Sequence, residues 1–475
     1  MSTANDTVSM PGAWWSPQSH SGSLGLVFAR TVSATLLIVF TTYFWTVIPY
    51  VPYKWPLALD LLKRQYEILF SERTFEGLTP YFNIAGTACI HLFGATGYFT
   101  TDPDNIEAIL STKFEDYTLG NGHPWKKSRE LIRRQFVRVY QQSPQDFTQH
   151  VDELLSRISE ETVDGVVDLK PLMFEYTLNT TTMLLFGEPH SSMNREERDA
   201  VRDNFDYAAF GCGIRVRLAD AAFLYNPSKY MDEYGEEAAA EKYAFIVDLW
   251  KEMQDSNLVR EQLLHVLVAG RDSTAALLSW TFFHLVRNPD VLAKLQKEIS
   301  SVPTDAKITR EEIKKLTYLR CCLNESNPTL IPHTPYEPPL HQKSYSPAYG
   351  WRSRQKSPVL LPKGAGIAFS LYHLHRSEEI YGPDSRKFRP ERWESGELIK
   401  KARPGAGYVD FNGGPRLCLR KDFALMEASY AVIRVLQAYP KIHLTPGVKN
   451  EPVGAERQTY TIGLSPTEGV LVSLT

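Results

Sequence analysis

Cys418 lies in the stretch FNGGPRLCLRKDFA, residues 411–424, directly after a Gly-Gly-Pro turn and before an amphipathic segment. A cysteine at the N-terminus of a helix tends to have a lowered thiol pKa, and the thiolate is a nucleophile or a metal ligand. Phe411 can shield such a sulfur, Gly414 permits the turn, and Arg416 can pair with an anionic group of a cofactor. The alternative is a buried, inert cysteine beside a glycine turn, and Cys418 alone favours that alternative.

A second candidate for chemistry is AGRDSTA, residues 269–275, inside a long helical pattern. Gly270 costs about 1 kcal/mol against alanine in a helix. A glycine beside hydroxyls that bond back to carbonyls one turn earlier can bend and widen a helix into a groove for a small ligand. Asp272 and Ser273 then offer an acid and a hydroxyl for proton transfer, with Thr274 as a helper. The alternative is an ordinary turn of charged and small residues.

Most of the secondary structure that must position these residues is predicted to be helical. The chain from residue 59 onward has no linker and no repeat, and residues 357–370 and 459–475 resemble short strands. Five segments carry apolar residues at helical spacing: 102–112, 124–140, 168–187, 257–287 and 421–439. The sequence predicts a mainly α protein with a small β part.

The spacing F-x-x-G-x-R-x-C resembles the haem-binding loop of the cytochromes P-450. The residues that carry the pattern are Phe411, Gly414, Arg416 and Cys418. AGRDSTA resembles the A-G-x-D-T-T oxygen-binding motif of the same family, with Ser273 in place of the first threonine. FRPERW, residues 388–393, resembles the segment before the haem loop, and its Arg392 would pair with the Glu and the Arg of an E-x-x-R helix. The residues of these three motifs are most similar to those of the fungal alkane- and fatty-acid-hydroxylase-like branch.

The resemblance implies one large cytochrome P-450-like domain containing haem, with Cys418 as the axial ligand of the iron. It implies monooxygenation of a lipophilic substrate with O₂ and electrons from an NADPH-cytochrome P-450 reductase. Gly270 would line the oxygen groove, and Asp272, Ser273 and Thr274 would manage protons. Trp125 and Arg129 lie at i and i+4 in WKKSR. Haem propionates would be held by Trp125, Arg129 and Arg416.

The family pattern is broken at several positions. Glu325 is present, but Pro328 stands where the arginine of E-x-x-R is expected. Codons for Asn327-Pro328-Thr329, read one nucleotide later, can encode Ile-Arg-Leu, so we interpret residues 327–355 as a frame-shifted insert. Two regions also look shortened, one before Trp125 and one before the oxygen-binding helix. Arg420 replaces the usual glycine after the cysteine, where it either strains the loop or points outward into a basic patch for a reductase.

Composition excludes some classes of function. The net charge of −3 gives no argument for nucleic-acid binding, and a charged fraction of 23% is typical of a globular protein. The five cysteines show no disulfide-like spacing. A zinc site would have to be built from Cys321, Cys322, His333 and His341, which lack the usual ligand spacing.

An uncharged run, residues 31–50, is long enough for a helix of roughly 30 Å, the hydrocarbon thickness of a bilayer. The positive charges that follow it place the rest of the chain in the cytosol. We therefore expect a lumenal tail (1–30), a transmembrane anchor (31–50), a proline-rich connector (51–58) and the catalytic domain (59–475) in the endoplasmic reticulum membrane. A buried helix of a soluble protein is the alternative for 31–50.

Two functional interpretations remain open at this point. The first is a membrane-anchored haem-thiolate monooxygenase that acts on a fatty acid, an alkane or a specialised metabolite. The second is a catalytically impaired or non-catalytic, membrane-tethered product of a misread or damaged cytochrome P-450 gene. The broken E-x-x-R motif and Arg420 favour the second interpretation.

Overall fold

In the computed structural model of the chain, Ile48–Thr475 cluster as one unit by contact. The residues that the structure describes are 50–70, 73–92, 95–117, 124–141, 146–194, 244–304, 308–326, 348–352, 358–359, 361, 366–451, 453, 455–460 and 463–474. The predicted tail and nearly all of the predicted anchor lie outside these residues, as does Pro328. Among the described residues, no helix has the length and apolar character needed to cross a membrane.

Helices make up most of the described chain, which confirms the predicted class. The α-helices are α1 (Leu59–Phe70), α2 (Thr74–Phe82), α3 (Pro103–Glu107), α4 (Pro124–Gln141), α5 (Asp146–Glu161), α6 (Leu169–Phe186), α7 (Ala244–Met253), α8 (Ser256–Arg287), α9 (Pro289–Ile299), α10 (Arg310–Lys315), α11 (Thr317–Ser326), α12 (Leu371–Leu374), α13 (Glu378–Tyr381), α14 (Glu397–Ala402) and α15 (Lys421–Ala438). One turn of π-helix continues α3, and short 3₁₀ turns include Pro390–Trp393 and Gly414–Arg416.

The strands form small sheets at the periphery of the helices. They are β1 (Thr87–Leu92), β2 (Ala95–Thr100), β3 (Val166–Asp168), β4 (Ala348–Arg352), β5 (Pro358–Val359), β6 (Gly366–Phe369), β7 (His443–Leu444), β8 (Gln458–Tyr460), β9 (Leu464–Pro466) and β10 (Leu471–Ser473). β1 pairs antiparallel with β2, which pairs parallel with β6; β3, β10 and β7 form a second sheet. Strands β4 and β5 and strands β8 and β9 form two-stranded pairs. The predicted strands in 357–370 and 459–475 are thus present.

Helix α8 is the axis around which the site is built. Asp255 caps its first turn by accepting hydrogen bonds from the backbone N–H groups of Asn257 and Leu258. Pro289 opens the next helix, so α8 ends at Arg287, as the sequence predicted. From Ala275 to Val286 every residue is buried. A helix that is buried on all sides belongs to the core, and α6, α11 and α15 pack against it.

Helix α6 is held against α8 by polar as well as apolar contacts. The hydroxyl of Thr177 donates to the backbone oxygen of Met173 in its own helix and to that of Arg271 in α8, at 3.1 and 2.9 Å. Gly187 ends α6 in the left-handed region with φ +70°. These contacts bring the middle of α6 against the AGRDSTA segment.

Candidate active site

The cysteine loop is closed by its own backbone. The N–H of Cys418 donates to the carbonyl of Phe411 over 2.9 Å, which makes residues 411–418 a compact loop. Gly414 has φ +55°, and a Cβ at this position would lie 1.9 Å from the backbone oxygen of Leu110. Only glycine fits this backbone conformation and this close approach.

The thiol of Cys418 is accessible to solvent. Desolvation by the surrounding protein atoms nevertheless raises the pKa of this thiol. The backbone N–H of Arg420 hydrogen-bonds to the sulfur, and this bond opposes the rise. Nearby positive charges oppose it too, those of Arg420, Arg129 and Lys421. The expected lowering of the thiol pKa is therefore wrong in direction, because desolvation outweighs the cationic neighbours.

The predicted propionate-binding residues lie beside this loop. Arg129, in α4, donates from Nη2 to the backbone oxygen of Leu417 over 2.5 Å, and desolvation lowers its pKa. Trp125 lies one turn earlier in the same helix. Arg416 belongs to the loop itself, with its guanidinium carbon 6.0 Å from the centre of the Phe114 ring. The structure thus brings Arg129, Arg416 and Cys418 together.

The AGRDSTA segment presents a small exposed surface in the middle of α8. Ala269 is exposed and Ser273, one turn later, is half-buried, whereas the residues beyond them are buried. The hydroxyl of Ser273 donates to the backbone oxygen of Ala269 over 2.7 Å, the back-bonding that the sequence suggested. Gly270 is buried on a different side of the helix and faces α6 and α15.

The other two predicted proton carriers are buried. Asp272 has 1% of its surface exposed and forms an ion pair with Arg271 over 3.1 Å. Thr274, 2% exposed, lies beside the carboxyl group of Glu427 in α15 without the geometry of a full hydrogen bond. Of the three, only Ser273 reaches the exposed surface that Ala269 marks.

Arg420 resolves one of the two alternatives that the sequence left open. Its φ is −100°, so the loop has no need of glycine on grounds of backbone angle. The side chain points inward, with 7% of the residue exposed, and pairs with Glu427 over 3.1 Å. The predicted outward basic patch therefore does not include Arg420. Sequence reasoning missed Glu427 and Thr180, which donates a hydrogen bond to it; the only signal was the carboxyl group two turns after Arg420.

Glu325 and Arg392 form a buried pair even though Pro328 lies outside the described residues. Nε of Arg392 donates to Glu325 over 3.1 Å, and Trp393 and the backbone of Arg389 donate to the same carboxyl group. The remaining donors of Arg392 reach the carbonyls of Tyr381, Asp384 and Lys387 and the carboxyl group of Asp384. Both members of the pair are thus satisfied by the described residues alone.

Nothing in the described part of the chain supports a zinc site. No group of three or more His, Cys, Asp or Glu side chains lies there in a metal-binding arrangement. Cys321 and Cys322 are buried in α11, and burial raises the pKa of Cys321 to about 11. His333 and His341 fall outside the described residues.

Comparison with known proteins identifies the family to which this mainly helical chain with its cysteine loop belongs. The family model for cytochrome P450 matches residues 236–327 and 352–467. A cytochrome P450 from Arthroderma benhamiae is 35% identical over 470 residues, covering 89% of this chain and 90% of that protein. Cytochrome P450 52A12 of Debaryomyces hansenii is 34% identical, with 81% of each chain covered. Cytochrome P450 52A5 of Candida maltosa is 35% identical over 76% of this chain and 78% of its own.

The chain belongs to the cytochrome P450 family. It is accordingly a monooxygenase that uses haem and receives electrons from an NADPH-dependent reductase. The second interpretation, a non-catalytic product, finds no support in these similarities. The residues present fit haem: an accessible sulfur donor on a rigid glycine loop, with Arg129 and Arg416 beside it as partners for anionic groups.

Proposed function

We propose that this chain hydroxylates a lipophilic substrate of the fatty-acid or alkane class, using O₂ and electrons from NADPH-cytochrome P-450 reductase. The oxidative part of the proposal rests on the loop 411–418, which presents an exposed cysteine on a backbone that only glycine at 414 permits. The substrate class rests on the similarity to the cytochromes P450 52A and on the resemblance to the fungal alkane- and fatty-acid-hydroxylase-like branch. Specialised metabolites are the other class of substrate that the branch resemblance allows.

Cys418 is proposed as the axial ligand of the haem iron. Bound haem supplies the activation of dioxygen, to which a thiolate ligand contributes electron density. Phe411 and Gly414 shape the loop. The backbone carbonyl of Phe411 accepts a hydrogen bond from the Cys418 N–H, and Gly414 lies directly against the backbone of Leu110. The propionate-binding residues are proposed to be Trp125, Arg129 and Arg416.

Ser273 is proposed as the hydroxyl that meets the reacting dioxygen, since it is the exposed member of its segment. Asp272 is proposed to pass protons from behind it, with Arg271 as its counter-ion. Thr274 remains a candidate helper, acting from its buried position beside Glu427. Gly270 is proposed to contribute to the oxygen groove by allowing α8 to open locally.

We propose a single-pass anchor at 31–50 in the endoplasmic reticulum membrane, with residues 1–30 on the lumenal side. Residues 51–58 would connect it to a cytosolic catalytic domain, 59–475. The exposed side chains of Tyr53 and Trp55 support this arrangement, because aromatic residues are enriched where a protein meets the membrane interface.

The test is the reduced, carbon-monoxide difference spectrum of membranes that express the full chain, with Cys418→Ser as the matched control. A thiolate-type Soret band that Cys418→Ser abolishes is the expected result. Its absence, with protein present in the membranes, would overturn the assignment of Cys418. Addition of fatty acids and alkanes of graded length should then shift the resting spectrum, and the length that binds most tightly identifies the substrate class.

A further inference from the structure

Arg420 is the feature of the site that the family pattern does not explain, since glycine is usual at this position. Its guanidinium lies in the interior, at the junction of α15 with α6 and α8. A buried charge costs several kcal/mol unless it is paired and hydrogen-bonded. A chain that places arginine here must therefore supply a counter-ion and space.

The counter-ion is Glu427 of α15, two turns after Arg420, which directly precedes that helix. Its carboxyl group is fully buried and accepts hydrogen bonds from Arg420, over 3.1 Å, and from Thr180 of α6. The guanidinium also lies 4.5 Å from the centre of the Phe423 ring. Among the described residues, Nε and Nη1 of Arg420 have no hydrogen-bond partner, so Glu427 carries the compensation of this charge.

The space is supplied by Gly270 of α8. A Cβ at Gly270 would lie 2.5 Å from Nη1 of Arg420 and 2.7 Å from the hydroxyl oxygen of Thr181. Distances under 3.0 Å do not occur between real Cβ atoms and their neighbours. Alanine at 270 would therefore displace the guanidinium, which gives the helix glycine a packing reason.

We propose that Arg420 is a positioning residue: it fastens the cysteine loop to the middle of α8 and places a fixed positive charge next to Cys418. Arg420 follows Cys418 by two residues, and its backbone N–H bonds to the sulfur. Its side chain fills the space beside Gly270, one turn before Ser273. The same residue thus contacts both segments that the reaction needs. The charge component of the proposal rests on the proposed haem site, and the fastening component does not.

The fastening is tested by a double-mutant cycle on the purified full chain in detergent, with urea unfolding as the readout. Arg420→Met and Glu427→Gln should each lower the equilibrium constant for folding more than tenfold. The double variant should be no worse than the worse single variant, so the coupling exceeds tenfold. The matched control is the exposed pair Arg134–Glu252, also an arginine–glutamate contact, at 2.8 Å. Its coupling should stay within threefold.

A coupling between Arg420 and Glu427 no larger than that of the exposed pair would overturn the fastening. If Arg420→Met does not fold, Arg420→Gln, which also removes the charge, replaces it in the cycle and in the comparison that follows. Arg420→Lys keeps the charge, so it should also recover part of the stability that Arg420→Met loses. Equal losses in the two variants would show that the charge at this position is irrelevant.

The charge component is tested by the reduction potential of the haem-containing protein. A nearby positive charge favours the reduced iron. Arg420→Met should therefore lower the potential, and Glu427→Gln should raise it. Loosened packing would move both variants in the same direction, and that result would overturn the charge component. If the parent chain binds no haem, the proposed function fails, and the unfolding cycle alone decides whether Arg420 fastens the loop.

Discussion

Among glycine-to-alanine substitutions near the site, Gly414→Ala should disrupt the cysteine loop the most. The residue has φ +55°, and an L-residue in this region costs about 1–2 kcal/mol. The new Cβ would also lie 1.9 Å from the backbone oxygen of Leu110, so main chain must move. Overpacking of this kind costs about 1–3 kcal/mol. The two effects together predict a loss of about 2–5 kcal/mol in the free energy of unfolding.

Two other glycines separate the strain from the clash. Gly396 has φ +69° and nothing within 4 Å of a Cβ, so Gly396→Ala should cost only the strain, about 1–2 kcal/mol. Gly366 lies in β6 with nothing within 4 Å and no positive φ, so Gly366→Ala should leave stability within about 1 kcal/mol of the parent. Urea unfolding of the three variants gives the free energies, and the carbon-monoxide spectrum reports the haem site. If Gly414→Ala lowers the free energy of unfolding no more than Gly396→Ala does, the close approach to Leu110 does not destabilise the variant and the prediction is wrong.

Three further predictions concern the core. Burial first, and nearby guanidinium groups second, lower the pKa of His284 to about 3, so only the unfolded chain gains this proton as pH falls below about 6.5. Between pH 7 and pH 5 the chain should therefore lose about 2 kcal/mol of its free energy of unfolding through His284. His284→Gln should abolish this pH dependence, whereas the control His443→Gln, at an exposed histidine, should keep it. Equal pH profiles of the two variants would contradict this prediction. Glu325→Gln should destabilise the chain by about 1–3 kcal/mol, because Arg392 then loses one of its two carboxylate partners and keeps Asp384, and a loss under 1 kcal/mol in urea unfolding would show that the pair is dispensable. Sequencing of the transcript across residues 327–355 should reveal a shifted frame that reads Glu-Ser-x-Arg; if no frame does, the insert hypothesis is wrong.

Helix positions followed from the sequence because their signals are local. Apolar spacing predicted helices at 124–140 and 168–187, and the structure has α4 and α6 at those positions. Asn288-Pro289 removes a backbone donor and ends α8 whatever packs around it. The loop at 411–418 could also be predicted, because Gly414 has a positive φ and lies so close to the backbone of Leu110 that no other residue fits there.

The directions of polar side chains on buried helices did not follow from the sequence. α8 is enclosed on nearly all sides beyond Ser273, so no polar face shows which of Asp272, Ser273 and Thr274 reaches an open surface. The same limit applies to Arg420. Whether the guanidinium points outward depends on a gap beside Gly270 of α8, which is distant in sequence, and on Glu427 of α15, the helix that Arg420 directly precedes.

Two of the departures from the family pattern, Arg420 and Pro328, have different physical consequences. Arg420 comes with its own compensation, a buried carboxyl group and a glycine on the facing helix, so it does not argue for a damaged site. Pro328 removes a potential partner of Glu325, yet Trp393, Arg392 and a backbone N–H already donate to that carboxyl group. A missing third member therefore leaves no buried charge unpaired in the described core, and the penalty expected from an uncompensated ion does not arise. A haem defect in this chain would then originate in residues 327–355 or in the two regions that look shortened, and these segments, not Arg420, are the first to correct.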